Sequence, residues 1–122
     1  MSGLPVADDV LGSDVPVLPL SEVADALGTS VNKVRQMLRD GQLIAVRRKG
    51  DLYVPAAFMV KDGVVKGLEG TITVLDDSGF SRTEMVRWLF TDDESVPGGS
   101  PVHALRTGHG TEVKRRAQAM AF

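Results

Sequence analysis

The chain has 122 residues, no cysteine and a formal net charge of -2, with 43% hydrophobic and 25% charged residues. That is globular composition, and the length suffices to bury roughly two thirds of the unfolded surface without a disulfide or a structural metal. The missing thiols exclude a thiolate zinc site and a cysteine nucleophile, and two histidines, His103 and His109, exclude a histidine-rich metal centre. No apolar run approaches the roughly 18 residues of a membrane span, and the first residues lack a basic leader region. The expectation is a cytoplasmic protein with no membrane association, no cofactor and no metal.

Charge is segregated along the chain. Residues 1–30 carry -5, residues 31–51 carry +4, residues 52–102 carry -4 and residues 103–122 carry +3. A weakly acidic protein still presents a local positive field where its bases cluster, and it is that local field that a nucleic acid meets.

Residues 1–16 mix glycine, proline and acids without helical or strand periodicity, which predicts a mobile acidic tail. A first helix follows, with Ser21 as its N-cap and Val23, Ala24 and Leu27 on one face, ending at Gly28. After the turn Gly28-Thr29-Ser30, Ser30 caps a second helix with Val31, Val34 and Leu38 inward and Gly41 as its stop. The period then changes to strands over Leu43–Arg48 and Leu52–Pro55 around the turn Lys49-Gly50-Asp51, a hairpin with bases at its tip. A short turn or helix spans Ala56–Met59, and Asp62-Gly63 makes another turn. Further helices are predicted over Leu68–Asp77, from a Ser81/Glu84 capping box through Leu89, and over Thr111–Ala121 with Val113, Ala117 and Met120 inside. Pro97–Pro101 reads as a loop. The fold class is mainly α with a small β-hairpin wing, a winged helix-turn-helix plus C-terminal helices. Its divisions are a tail (1–16), a DNA-binding domain (17–60) and a helical C-terminal domain (61–122).

Two helices joined by a tight glycine-containing turn, followed directly by a basic hairpin, are the parts of a winged helix-turn-helix. With Val31, Val34 and Leu38 inward, Thr29, Ser30, Asn32, Lys33 and Gln36 fall at the start and outer face of the second helix, flanked by Arg35 and Arg39. Asn and Gln suit adenine, Lys reaches guanine acceptors, and flanking arginines suit phosphates. Arg47, Arg48 and Lys49 on the wing would lie along the backbone or in the minor groove of double-stranded DNA. The stretch LPLSEVADALGTSVNKVRQMLRDGQLIAVRRKGDLYVP resembles the winged helices of excisionase-like and MerR-like proteins. The whole chain, with MVRWLF and VKRRAQAMAF, resembles actinobacterial winged-helix DNA-binding proteins that carry a helical C-terminal domain. That resemblance implies a non-enzymatic DNA-binding protein, a transcriptional regulator, with contacts through the second helix and wing. The MerR pattern's dimerisation coiled coil and cysteine effector site are missing.

A third stretch, WLFTDDESVPGGSPVHALRTGHGTEV, is similar to the toxin-binding domain of some Xre-type antitoxins. It implies a protein partner or self-association through the C-terminal helices, and makes a protein-interaction module the alternative function. Trp88 and Phe90 read as core rather than as a base-stacking platform. Lys114-Arg115-Arg116 either touch phosphates or offset the negative end of the helix dipole. Asp76, Asp77, Asp92, Asp93 and Glu94 stand beside turns with no nucleophile or partner base, so no catalytic site is legible. Asp8, Asp9 and Asp14 either belong to an inert tail or fold over the basic reader and compete with DNA.

Overall fold

In the computed structural model, residues 4–61 and 63–120 are described. The chain enters with strand β1 (Ala7–Asp8) and β2 (Val17–Pro19), then helices α1 (Leu20–Leu27) and α2 (Val31–Arg39). α1 starts one residue ahead of the expected Ser21 cap, because Pro19 in extended backbone supplies the entry and no side chain caps the helix. Both helices close with a glycine in the left-handed region, Gly28 at φ 66 and Gly41 at φ 73. After α2 the Gln42 N–H donates to the Met37 carbonyl at 2.9 Å, a Schellman closure that turns the chain back toward the sheet. Ser30 caps α2 as expected, its Oγ accepting from Lys33 N at 3.1 Å.

Strands β3 (Val46–Arg48) and β4 (Asp51–Pro55) form the hairpin, pairing Arg48 with Asp51 across the two-residue turn Lys49-Gly50. Both turn residues have positive φ, 54 and 83, the handedness that matches strand twist in the tightest hairpins. Leu43, Ile44 and Ala45 are fully buried, but the paired strand begins only at Val46, later than the alternation predicts. The sheet has the order β1-β3-β4-β2, with β1 parallel to β3 and β2 antiparallel to β4.

The expectation of a mobile tail over residues 1–16 is corrected for its described part, residues 4–16. Ala7 has 0% exposure, its N–H donates to the Ala45 carbonyl at 2.9 Å, and Asp9 holds Arg48. Acidic composition alone suggested a solvated segment; the apolar Leu4, Val10 and Leu11 pack on the core and keep it ordered.

A 3-10 turn (Ala56–Phe58) leads to a second small hairpin, β5 (Met59–Val60) with β6 (Gly63–Val64). Asp62, half of the predicted turn there, lies outside the described residues, and Gly63 sits in the strand. Helices α3 (Leu68–Asp77) and α4 (Arg82–Leu89) follow as predicted, and α4 has both bonds of the capping box: Glu84 N to Ser81 Oγ, and Ser81 N to Glu84 Oε1. The predicted loop Pro97–Pro101 instead contains a 3-10 turn (Pro97–Gly99) and the start of α5 (Pro101–Arg106), on which His103 is exposed. Ser100 Oγ accepts from His103 N at 3.3 Å with proline as the first helical residue, where its missing N–H costs nothing. α6 (Gly110–Ala119) buries Val113 and Ala117 as predicted; Met120 is 43% exposed rather than inside, because the helix has ended before it, and Ala121 lies outside the described residues.

The two halves share one core. The Val65 N–H donates to the Phe58 carbonyl, the Phe58 and Phe90 rings lie 5.6 Å apart, and Asp8 N donates to Thr83 Oγ1 on α4. The Arg106 guanidinium donates to the carbonyls of Ala57 at 3.0 Å and Met59 at 2.7 Å, pinning α5 to the winged half. Trp88 is half-buried against this core, as its setting beside Met85 and Leu89 predicts. No helix among the described residues is long and apolar enough to cross a membrane.

Candidate nucleic-acid interface

Val34 and Leu38 anchor α2 in the core with no exposed surface, and the remaining turn of the helix faces outward. Thr29, Ser30, Asn32, Lys33, Arg35, Gln36 and Arg39 are all exposed, so the predicted reading residues lie at the surface of α2 and of the turn before it. Two of them are already partnered along the helix: Gln36 Nε2 donates to Asp40 Oδ1 at 2.9 Å, and its Oε1 accepts from Arg39 at 3.2 Å. Ser30 spends its oxygen on the cap. Among the described residues, the side chains of Asn32, Lys33 and Arg35 have no partner and are available as they stand.

The wing divides its three bases. Successive strand residues point to opposite faces of a sheet, so Arg47 is exposed while Arg48 turns behind the hairpin. There the Arg48 Nε donates to Asp9 Oδ2 at 2.7 Å, and its other nitrogens donate to Asp9 Oδ1 and to the carbonyls of Gly12 and Val15. The hydrogen bond from Arg48 holds the Asp9 carboxyl below its ordinary value and raises Arg48 in turn. With its side chain 18% exposed, Arg48 binds the N-terminal segment, so its predicted place among the DNA-facing bases is withdrawn. Of the three competing acids proposed for that segment, Asp9 is the one that takes a wing base. Lys49 stays exposed at the hairpin tip.

Between α2 and the wing runs an open groove of about 550 Å³, with Arg35 on one wall and Arg47, Asp51 and Tyr53 on the other. Tyr53 lines the groove together with Pro19 and with Ser21, which the sequence marks only as a helix cap. The signal for the last two was their position: β2 pairs Pro19 with Tyr53, so the start of α1 is fixed beside the wing. Five exposed cations, Lys33, Arg35, Arg39, Arg47 and Lys49, thus stand on α2 and the wing tip.

Comparison with known proteins follows these two halves. Residues 3–59 match the winged helix-turn-helix domain described for the DNA-binding protein Rv2175c, and residues 65–121 match the Rv2175c C-terminal domain of unknown function. The chain is 45% identical to the DNA-binding protein Rv2175c of Mycobacterium tuberculosis, over all of its own length and 92% of the relative's. It belongs to the Rv2175c family. The NMR structure of Rv2175c superposes with a TM-score of 0.88 at 44% identity, covering 99% of this chain and 91% of that one. The winged-helix match begins at residue 3, so within the Rv2175c family the N-terminal segment belongs to the winged domain, in keeping with the ordering of β1.

Proposed function

We propose that this chain is a non-enzymatic DNA-binding protein that acts as a transcriptional regulator, seating α2 in the major groove and laying the wing along the adjacent backbone or minor groove. The observation that carries this reading is the clustering of Lys33, Arg35, Arg39, Arg47 and Lys49 on the two elements a winged helix presents to DNA. The name of its relative, a DNA-binding protein, supports the same reading. In it, Asn32 and Lys33 reach base edges, Arg35 and Arg47 on facing walls of the groove take phosphates, and Lys49 leads the wing tip.

Fluorescence anisotropy of a labelled random-sequence duplex, titrated at several salt concentrations, tests it without knowledge of the target site. If three to five of these cations neutralise phosphates, log affinity falls against log salt with a slope of about -2.7 to -4.5, at roughly -0.9 per contact. The double substitution Arg35→Ala/Arg47→Ala lowers that slope by about two contacts' worth while leaving the fold intact. Absence of binding at low salt refutes the proposal.

A further inference from the structure

The recognition helix has a second flank. At about 100° per residue, Arg35 and Met37 are about 200° apart around α2. Arg35 lines the groove shared with the wing, whereas Met37 and Gln42 line a cleft of about 240 Å³ on the other side, shared with Val64, Val65, Lys66 and Glu69. The α2 flank away from the wing is therefore walled by the C-terminal half.

A second cleft, of about 440 Å³, shares Lys66 and Gly67 with the first as lining residues. The larger one has four glycines, Gly67, Gly70, Gly108 and Gly110, with Lys66 and Lys114 on its walls, and no acidic residue lines it. Its floor is bare backbone: a Cβ built on Gly67 would stand 3.4 Å from the Gly110 Cα and 3.1 Å from Leu105 Cδ2. The terminal basic run splits here. Arg115 and Arg116 are both held by Glu112, and Arg116 also bonds Ser95, whereas Lys114 and Lys66 are exposed and have no ion pair among the described residues. A cleft with no acidic lining residue of its own, two ammonium groups outside any ion pair among the described residues and little side-chain bulk suits a sugar-phosphate strand, which needs charge and close backbone approach; exposed Glu69 lines only the adjoining cleft beside α2.

We propose that Lys66 and Lys114 form a second phosphate-contacting surface, which holds the DNA backbone on the flank of α2 opposite the wing. The inference rests on the DNA-binding reading above and adds the C-terminal domain to the interface. A helix lying in the major groove has a phosphate ridge on each side of it. The wing serves one ridge, and the Lys66–Lys114 cleft, which shares Lys66 with the cleft beside the far flank of α2, serves the other.

The test uses the full chain and a random-sequence duplex of about three helical turns, followed by anisotropy across salt concentrations. Lys66→Gln/Lys114→Gln lowers the slope by about 1.8, two contacts at roughly 0.9 each. Gly70→Glu provides an independent variant: a Cβ there meets nothing within 4 Å, so it adds a carboxylate to the cleft without a steric clash. It weakens binding at low salt by about tenfold or more, with the thermal melting midpoint held or raised because glycine is a poor helix former. Wild-type slope and affinity in both variants overturn the inference, while loss of binding in Arg35→Ala/Arg47→Ala alone leaves the DNA-binding reading standing. A wild-type chain that binds no duplex overturns both.

Discussion

Arg47 and Arg48 carry the same charge one position apart, and the pleat of β3 separates their work. Arg47→Ala should lower the salt slope of DNA binding by about one and leave the melting temperature unchanged. Arg48→Ala should do the reverse, lowering the melting temperature while sparing the slope, because its guanidinium is spent on Asp9, Gly12 and Val15. Equal slope losses in the two variants would contradict the assignment. The same ion pair carries a pH dependence. Asp9 is depressed below its usual value of 3.8, chiefly by the bond from Arg48, so its stabilising effect is full above that value. It is lost as pH falls from there through the lower folded pKa, since the unfolded chain takes up the proton first. Amide NMR signals of residues 7–16 should therefore lose dispersion in the wild type as pH falls below 3.8, whereas in Asp9→Asn they should already be less dispersed at neutral pH and lack that acid transition. The bases themselves were legible in the sequence, but Arg48's engagement was not, because its partner lies 39 positions away, just past the short strand β1 that no local pattern announces.

Among the elements, those with a strong local signature were legible. α2 has a capping serine, an apolar face and a closing glycine, and α4 has a reciprocal capping box; both lie where their residues place them. Ser30→Ala should destabilise the protein by about 1 kcal/mol, read from chemical denaturation, as the loss of an N-cap acceptor does elsewhere. The elements missed are those fixed by distant partners. β1 is two residues long and exists only through its parallel pairing with β3; α5 has six residues, and its proline and glycines gave the stretch before it the look of a loop. The wing turn gives a further prediction at this scale. Lys49 adopts φ 54, which asparagine tolerates better than lysine, so Lys49→Asn should stabilise the hairpin slightly while removing one phosphate contact from the salt slope. A slope unchanged in that variant would show that the wing tip stands clear of DNA.

As a whole molecule, the chain carries two family-matched segments, residues 3–59 and 65–121, on one continuous core. Phe58 against Phe90, Arg106 on the carbonyls of Ala57 and Met59, and Asp8 on Thr83 all cross between the halves. The full chain should unfold in a single transition whose calorimetric and van't Hoff enthalpies agree. Arg106→Met should lower its midpoint and leave DNA affinity unaltered, since its partners, the carbonyls of Ala57 and Met59, belong to neither α2 nor the wing hairpin. Two resolved transitions would show that the domains fold independently.

The small sheet also bears on crowding. Several copies bound along one duplex, as the proposed function entails, would stand at high local concentration, where an open sheet edge would invite strand-to-strand aggregation between neighbouring copies. Here one outer strand, β2, is three residues long and ends in Pro19, which offers no N–H to a newcomer. The other, β1, has its Asp8 N–H taken by Thr83 from α4. At Pro19 and Asp8 the two outer strands of the wing's sheet thus offer no free N–H, which disfavours edge-to-edge pairing between copies that the proposed function would bring side by side.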